Sequence, residues 1–241
     1  MPCSPTPVGV IHSCFNDKFG VPRQPGLVSA ARARLELFPP YNSAETCLGL
    51  DGFSHLWITF IFHHCLGQRA RLSVRPPRLG GNRRLGVFAS RSTHRPNPVG
   101  LSVVTLDKIE RRDGTVSLWL RGVDLVDGTP VLDIKPYLPA LDARPEARAD
   151  YAQAPPVARF EVRFTPIAER QCREYRDDLP ELRRLIESVL GLDPRPAYHA
   201  DRLDGKRYVV TLHGLEVCWR VVHEGVIEVQ SITGTGVVTS P

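Results

Sequence analysis

Short apolar runs separated by Gly, Pro and Asn dominate the first 139 residues of the chain. Apolar and polar positions alternate most clearly over residues 116–121, which is the pattern of a strand with one buried face. Further strands are predicted over segments 8–13, 56–63, 86–90 and 99–109. Many short strands with few helical periods favour a closed barrel or a sandwich.

The last third of the chain has a different pattern. Residues 139–157 are rich in Ala, Pro, Arg and Asp, which is typical of a linker. Beyond them we predict a strand over 159–164, a helix over 181–190 that ends before Asp193-Pro-Arg-Pro, and a three-stranded meander over 208–212, 216–222 and 226–232. The chain is therefore predicted to be mainly β, with a small closed β-barrel domain (1–140), a linker (141–157) and a small α+β domain (158–241).

Composition narrows the class of protein. The chain has 241 residues, of which 42% are hydrophobic and 24% charged, an ordinary globular balance. The longest apolar run, Leu56 to Phe62, is far shorter than the roughly 20 residues of a membrane-spanning helix. The first seven residues lack a basic region followed by an apolar one, so no signal peptide is predicted. The six cysteines form no CxxC pair, which predicts reduced thiols and a soluble cytoplasmic protein.

The net charge of +5 is unevenly distributed. No acidic residue occurs between Asp51 and Asp107, whereas eight arginines do, so this interval carries +8 and the rest of the chain −3. Such a local basic field is typical of a protein that binds a phosphate-rich partner. The alternative is a solvated arginine-rich loop, although a solvated face usually mixes both signs.

Common cofactor signatures are absent. The glycine-rich stretch from Gly80 to Gly86 has neither a GK[ST] ending nor the GxGxxG order, so no P-loop or Rossmann site is predicted. His63-His64-Cys65 offers three metal ligands, but neighbours on a strand point to opposite faces, so we expect no metal there. Elsewhere, polar residues between prolines and glycines predict rigid loops with exposed amides, suited to an anionic or zwitterionic ligand, or else stiffened barrel turns.

Five segments, in this order along the chain, carry a resemblance to a known family: Phe19-Gly-Val-Pro-Arg-Gln-Pro-Gly, Phe53-Ser-His-Leu-Trp, Arg75-Pro-Pro-Arg-Leu-Gly-Gly-Asn, Arg91-Ser-Thr-His-Arg-Pro-Asn-Pro-Val-Gly and Asp124-Leu-Val-Asp-Gly-Thr-Pro-Val-Leu-Asp-Ile-Lys-Pro-Tyr. In them the chain is similar to the TrmO family, whose members are also called YaeB, TsaA-like or VirR-like proteins. The similarity covers about residues 5–140. Asp193-Pro-Arg-Pro-Ala-Tyr198 also resembles the C-terminal extension of bacterial members.

The resemblance implies an S-adenosylmethionine-dependent tRNA (adenine-N6)-methyltransferase on a small non-Rossmann barrel, usually a homodimer, without a metal or a membrane. The implied acceptor is N6 of N6-threonylcarbamoyladenosine beside the anticodon of threonine tRNA, and the implied partner is the anticodon stem-loop. By position in the motifs, the family's cofactor contacts fall on Pro22, Arg23, Gln24, His63, His64, Arg91, Leu101, Asp127, Gly128, Thr129 and Pro130.

Other roles follow from the chemistry of such a transfer. The carbamoyl group makes N6 a poor nucleophile, so an acceptor for its proton is needed, and Asn97, the carbonyl before Pro98, Asp133 and His94 all remain candidates. Candidates for binding the threonyl carboxylate are Arg91, Arg95 and Lys135.

The remaining candidates concern RNA. Tyr41 is expected to stack on a flipped base, with simple packing as the alternative. The anticodon stem-loop is expected to contact the basic interval, including Arg75, Arg78, Arg83 and Arg84. In the C-terminal domain, an added tRNA or dimer contact and a purely structural cap both remain open for Arg195, Tyr198, Lys206 and Arg207. Two other functions also remain open: a noncatalytic RNA-binding module and an S-adenosylmethionine-dependent methyltransferase of another substrate.

Overall fold

A computed structural model describes residues 5–196 and 205–234. Its barrel strands are β1 (Gly9–Ser13), β2 (Arg32–Leu37), β3 (His55–Ile61), β6 (Val99–Arg112), β7 (Thr115–Arg121) and β8 (Pro130–Pro136), and a small hairpin consists of β4 (Ser73–Val74) and β5 (Leu85–Gly86). After the barrel come α1 (Pro139–Asp142), β9 (Glu161–Phe164), α2 (Pro166–Glu174), α3 (Leu182–Gly191), β10 (Tyr208–Leu212), β11 (Leu215–His223) and β12 (Val226–Gly234).

Six antiparallel strands close into a barrel in the order β1-β2-β7-β6-β3-β8, because β8 pairs back onto β1. Alternate residues of each strand fill the interior, as the period of two requires. Ile11, Leu35, Ile58 and Leu118 are fully buried there. The predicted mainly β fold with a closed, non-Rossmann barrel is confirmed.

Most predicted barrel strands are confirmed, and the errors have local causes. The segment 86–90 is not a strand: β5 ends at Gly86, and Val87–Ala89 form a turn of 3₁₀ helix in which only Val87 is buried. The strand predicted to reach His63 ends at Ile61. The strands β2 and β8 were not predicted, although Asp133 and Lys135 do share one face of an extended segment.

The C-terminal part is a four-stranded sheet in the order β10-β11-β12-β9, with β9 parallel to β12. The meander β10–β12 and the helix α3 confirm the α+β prediction. Helix α2 was not predicted, because only Ala168 and Cys172 of its mostly polar sequence are buried. Tyr198, one of the predicted C-terminal contacts, lies outside the described residues.

Three long connections leave the same end of the barrel. They are the loops 14–31 (β1 to β2), 62–98 (β3 to β6, including the β4–β5 hairpin) and 122–129 (β7 to β8). Neighbouring strands run antiparallel, so the ends of β1, β3 and β7 lie beside the starts of β2, β6 and β8. The loop 38–54 and the tight β6–β7 turn lie at the opposite end. Within the described part of the chain, none of the helices has the length and apolar character needed to span a bilayer.

Candidate functional site

The three loops approach one another at the predicted cofactor residues. The Arg91 guanidinium donates a hydrogen bond to Gln24 Oε1, which joins loop 62–98 to loop 14–31. The Lys18 ammonium donates to the carbonyl of His64 over 3.4 Å, joining the same two loops a second time. The charge of Asp127 on the third loop acts on His63: it raises the pKa of His63, although burial and neighbouring groups lower that pKa overall. One chain therefore brings residues from all three loops to one end of the barrel. We call this group the loop cluster; it consists of Lys18, Gln24, His63, His64, Arg91 and Asp127.

The backbone amides of the Asp127–Pro130 turn are engaged within the protein. The amide hydrogens of Asp127, Gly128 and Thr129 bond to the carbonyls of Phe15, Ile11 and Val126, and Pro130 has none. The Asp127 carboxylate in turn accepts from the Ser13 amide at 2.9 Å. Two features of the turn remain available to a ligand. The Asp127 carboxylate is partly exposed, and the space beside Gly128 is open, since an added Cβ would meet nothing within 4 Å.

The two neighbouring histidines do not lie on a strand. His63–Cys65 form a turn of 3₁₀ helix, so the opposite-face geometry used to exclude a shared ligand was wrong. The two imidazole centroids are only 4.2 Å apart. Burial, and then the neighbouring His64 and Lys18, lower the pKa of His63, which favours the neutral ring. Among residues 5–196 and 205–234, no cluster of three His, Cys, Asp or Glu side chains is placed to hold a metal ion.

The arginines of loop 62–98 are unbalanced by acidic groups. Within the described residues, no carboxylate lies within 4.0 Å of any of the eight. Arg75 and Arg83 are exposed, and the exposed Arg78 and Arg84 donate to the Ala154 carbonyl and to Ser73 Oγ. Arg95 differs, because it donates to the carbonyls of Val87 and Ser90 and so holds the loop together. The loop therefore presents a positive field beside the clustered residues.

The candidate proton acceptors are unequally available. The Asn97 carbonyl already accepts the Val99 amide at 2.7 Å. Asp133 accepts from the Ile134 amide and is paired with Lys135. Burial and the nearby cations Arg71 and Lys18 lower the pKa of His94, so its ring is neutral near pH 7. His94 and the Asn97 side-chain amide are thus the less engaged groups.

Two predicted residues lie apart from the loop cluster. Tyr41 is in loop 38–54, at the opposite end of the barrel, so a single chain does not bring it to the cofactor residues. Leu101, which is 55% exposed, lies on the outer barrel face opposite Thr59 of β3. On the other side of Thr59 lies Asp133. The role of Tyr41 as a base-stacking residue is therefore not supported within one chain.

Arg195 is not a surface contact. Its side chain is 1% exposed, and its guanidinium binds both oxygens of Asp193 at 2.7 and 3.0 Å. It also lies over the Phe160 ring, with 5.3 Å from its central carbon to the ring centroid. The exposed Arg207 donates to Gln230 Oε1 at 2.9 Å. Arg195 is therefore a packing residue of the C-terminal part, which favours the structural cap over a contact with tRNA or a second subunit for this residue.

Sequence reasoning missed one carboxyl group in loop 122–129. Asp124 is partly buried and accepts a hydrogen bond from the buried Ser102 hydroxyl at 2.7 Å. Burial raises the pKa of Asp124 to about 6, although the Ser102 hydroxyl and the Arg91 charge both favour the ionised form. Asp124 thus lies next to Ser102 and within electrostatic range of Arg91, and only its burial distinguishes it from other acidic residues in its motif.

The ionisation of Asp124 is expected to cost stability. Its folded pKa of about 6 exceeds the unfolded value of about 3.9, so the folded state holds the proton more tightly. The cost is therefore absent below about pH 4, grows as the pH rises, and is complete above about pH 6, reaching roughly 3 kcal/mol at most. We compare the melting temperature of Asp124→Asn with that of the wild type at each pH. The difference in favour of the variant should be several degrees larger at pH 8 than at pH 4. An equal difference in melting temperature at both pH values would contradict this.

A surface cavity of about 430 Å³ lies elsewhere, on the C-terminal sheet. Its lining includes Arg163 and Arg220, which pair with Glu161 and Glu228. Its charges are therefore largely balanced, unlike those of loop 62–98. The loop cluster remains the better candidate for an anionic ligand.

The closed antiparallel barrel places the chain among small-barrel proteins, rather than among P-loop or Rossmann proteins. Comparison with family models matches residues 10–143 to the tRNA-methyltransferase O N-terminal domain and residues 157–235 to the TrmO C-terminal domain. The chain therefore belongs to the TrmO family.

Similar proteins agree with this assignment. The tRNA (adenine(37)-N6)-methyltransferase of Escherichia coli K12 is 51% identical over 90% of this chain and 93% of its own length. A putative S-adenosylmethionine-dependent methyltransferase, RcsF, from Pseudomonas aeruginosa is 49% identical over 96% and 98%. The crystal structure of TrmO from P. aeruginosa superposes with a TM-score of 0.80 at 43% identity, covering 97% of this chain and 98% of that one.

Proposed function

We propose that this chain transfers a methyl group from S-adenosylmethionine to N6 of the adenosine beside the anticodon of tRNA. We propose further that the acceptor is N6-threonylcarbamoyladenosine of threonine tRNA. The observation that carries the proposal is the loop cluster, in which cofactor candidates from three loops lie beside an arginine loop without carboxylates. The names of the relatives at about half identity support S-adenosylmethionine-dependent N6-methylation of adenine 37 in tRNA.

The residues of the cluster fit a zwitterionic sulfonium compound. Arg91 supplies a cation for its carboxylate, and the partly exposed Asp127 supplies an anion for its positive groups. Gln24 and the neutral His63 add uncharged polar contacts, while Gly128 leaves room for close approach to the backbone. When bound, S-adenosylmethionine supplies an activated methyl group with a neutral leaving group.

The residues of this chain then hold S-adenosylmethionine and the acceptor adenosine in the correct relative orientation, and one of them accepts the proton from N6. Fixed orientation removes much of the entropic barrier of a two-partner displacement. The lone pair of the carbamoylated N6 is delocalised, so its proton must leave as the new bond forms. We infer that the neutral His94 accepts this proton, with the Asn97 amide positioning the base. Neither Asp133, paired with Lys135, nor the engaged Asn97 carbonyl is equally free to do so.

The threonyl carboxylate of the acceptor needs a cation within the site. Arg95 is committed to loop carbonyls and Lys135 to Asp133. Arg71, whose charge acts on His94, is exposed and close to the proposed base. Since Arg91 is assigned to the carboxylate of the cofactor, we assign the acceptor carboxylate to Arg71, and the phosphates to the remaining exposed arginines of the loop.

A homodimer is also proposed. Val99 and Leu101, 40% and 55% exposed, lie on the outer face of β6 beside the outer residues of β3. A second copy that covered this apolar face would bury Leu101, a predicted cofactor residue. Sedimentation velocity is expected to give twice the chain mass of 26.9 kDa, and a species of that single mass would rule the dimer out.

The division into 1–140, 141–157 and 158–241 remains a proposal, which the limits of the two family models support. A cytoplasmic location is likewise proposed. It is supported by the five described cysteines, all free thiols, since a reducing compartment keeps thiols unpaired.

The acceptor is tested by mass spectrometry of tRNA nucleosides from cells that lack this gene. We expect the N6-methylated threonylcarbamoyladenosine to disappear and the unmethylated form to accumulate, with other methylated nucleosides unchanged. Unchanged levels of the methylated nucleoside would overturn the proposed acceptor. Saturable binding of S-adenosylmethionine to the purified chain separates the enzyme from a noncatalytic RNA-binding module, which should show none.

A further inference from the structure

The loop that carries Pro22, Arg23 and Gln24 is covered by the C-terminal part of the chain. We infer that the β10–β11 hairpin positions this segment, residues 14–24, and thereby sets the affinity for the cofactor. The inference rests on the proposed function, because it assigns the C-terminal part a role in the cofactor site.

The tip of the hairpin binds the start of the segment. Its two-residue turn, His213-Gly214, has positive φ at both positions (53° and 74°), as a tight turn between antiparallel strands requires. The His213 amide donates to the Cys14 carbonyl at 2.9 Å, and the Gly214 amide donates to Asn16 Oδ1 at 2.8 Å. Phe15, fully buried between them, bridges to Leu212 in an antiparallel pair.

The middle of the segment lies against the same hairpin strand. Gly20 has a φ of 97°, and an added Cβ would lie 2.3 Å from Val210 Cγ2. Val210 is fully buried in β10. Only a residue without a side chain lets the segment approach the strand this closely.

The far end of the segment is held by the chain after α3. Arg23 donates to the carbonyl of Arg195 at 3.3 Å. The paired and buried side chains of Asp193 and Arg195 fix that carbonyl in place. Arg23 is followed by Gln24, which accepts from Arg91. The C-terminal part therefore contacts the cofactor loop at its start, middle and end.

The central test compares glycine substitutions that share a backbone conformation. Gly20→Ala should weaken S-adenosylmethionine binding at least 10-fold by calorimetry, because its Cβ would displace the segment from Val210. Gly49→Ala is the matched control: its φ is 78°, nothing lies within 4 Å of its added Cβ, and it is at the opposite end of the barrel. It should leave the affinity unchanged. Adding Val210→Ala to Gly20→Ala should recover part of the affinity, because it removes the clashing methyl groups while the strain of alanine at a positive φ remains.

A second pair of variants, at Asn16, tests the inference with a smaller perturbation in case Gly20→Ala does not fold. Asn16→Ala removes the acceptor for the Gly214 amide and should weaken cofactor binding several-fold, whereas Asn16→Asp keeps an acceptor oxygen and should restore it. Hydrogen–deuterium exchange of residues 17–24 should rise in Asn16→Ala without any ligand present. Unchanged exchange there, or unchanged affinity in the folded Gly20→Ala protein, would overturn the inference. A wild-type chain that does not bind S-adenosylmethionine would overturn the proposed function instead, while the exchange measurement still decides the coupling between hairpin and segment.

Discussion

Replacement of Arg91 with alanine is expected to lower the rate of tRNA methylation by about 10³-fold, the size of effect that follows loss of one preorganised charged donor. Arg91 is the group that joins loops in the cluster: it donates to Gln24 and acts electrostatically on Asp124. It is exposed, and within the described residues it has no carboxylate partner, so its charge is available to a ligand. The measurement is single-turnover methylation, together with calorimetric binding of S-adenosylmethionine.

Arg83→Ala is the matched control, because Arg83 is an exposed arginine of the same loop with no hydrogen bond within the described residues. It should weaken tRNA binding slightly and leave cofactor affinity unchanged. Arg91→Lys keeps the charge but loses the planar fork, so it should recover only part of the activity. Full activity in Arg91→Ala would remove Arg91 from the site.

The affinity for tRNA is expected to fall steeply with salt. If four of the eight loop arginines contact phosphates, the logarithmic slope should be about −3, and affinity should fall roughly 50- to 150-fold between 50 and 200 mM salt. The physical reason is the release of counterions from RNA by arginines that carry no acidic partners on the protein. Filter binding over a salt series measures the slope.

Variants of loop 62–98 locate the effect. Arg75→Gln combined with Arg83→Gln should reduce the magnitude of the slope by about 2, since each removes one phosphate contact. Arg111→Gln combined with Arg112→Gln makes the same charge change near the β6–β7 turn, at the opposite end of the barrel. It should leave the slope unchanged. Salt-independent binding, or equal effects of the two double variants, would rule out this loop as the tRNA surface.

Parts of the fold could be predicted wherever one residue pattern reflects one local environment. Residues 116–121 alternate strictly and form β7, and the apolar spacing of 181–190 gives α3. Strand β2 was missed because its inward positions include the weakly apolar Ala33. The segment 86–90 was misjudged because Phe88, which looks like a core residue, is 81% exposed in a turn.

The candidate site was predictable only in part, for a related reason. Motif positions predicted Gln24, Arg91 and Asp127 as members of one site, and the structure brings their loops together. They could not reveal Asp124, whose significance lies in its burial against Ser102, a residue 22 positions away. The sequence also left open whether Arg195 is a surface contact or part of a structural cap, and only the packing against Asp193 and Phe160 shows that it is buried.

The sequence by itself determined the strand-rich character of the first 139 residues, the segregation of positive charge into one long connection, and the family motifs. These depend on the order and period of residues along the chain. The tertiary structure alone decided that three loops share one end while Tyr41 lies at the other, and that the β10–β11 hairpin contacts loop 14–31, where cofactor residues are predicted. Strand order, barrel closure and burial depend on contacts between residues far apart in sequence, and local periodicity carries no information about those distances.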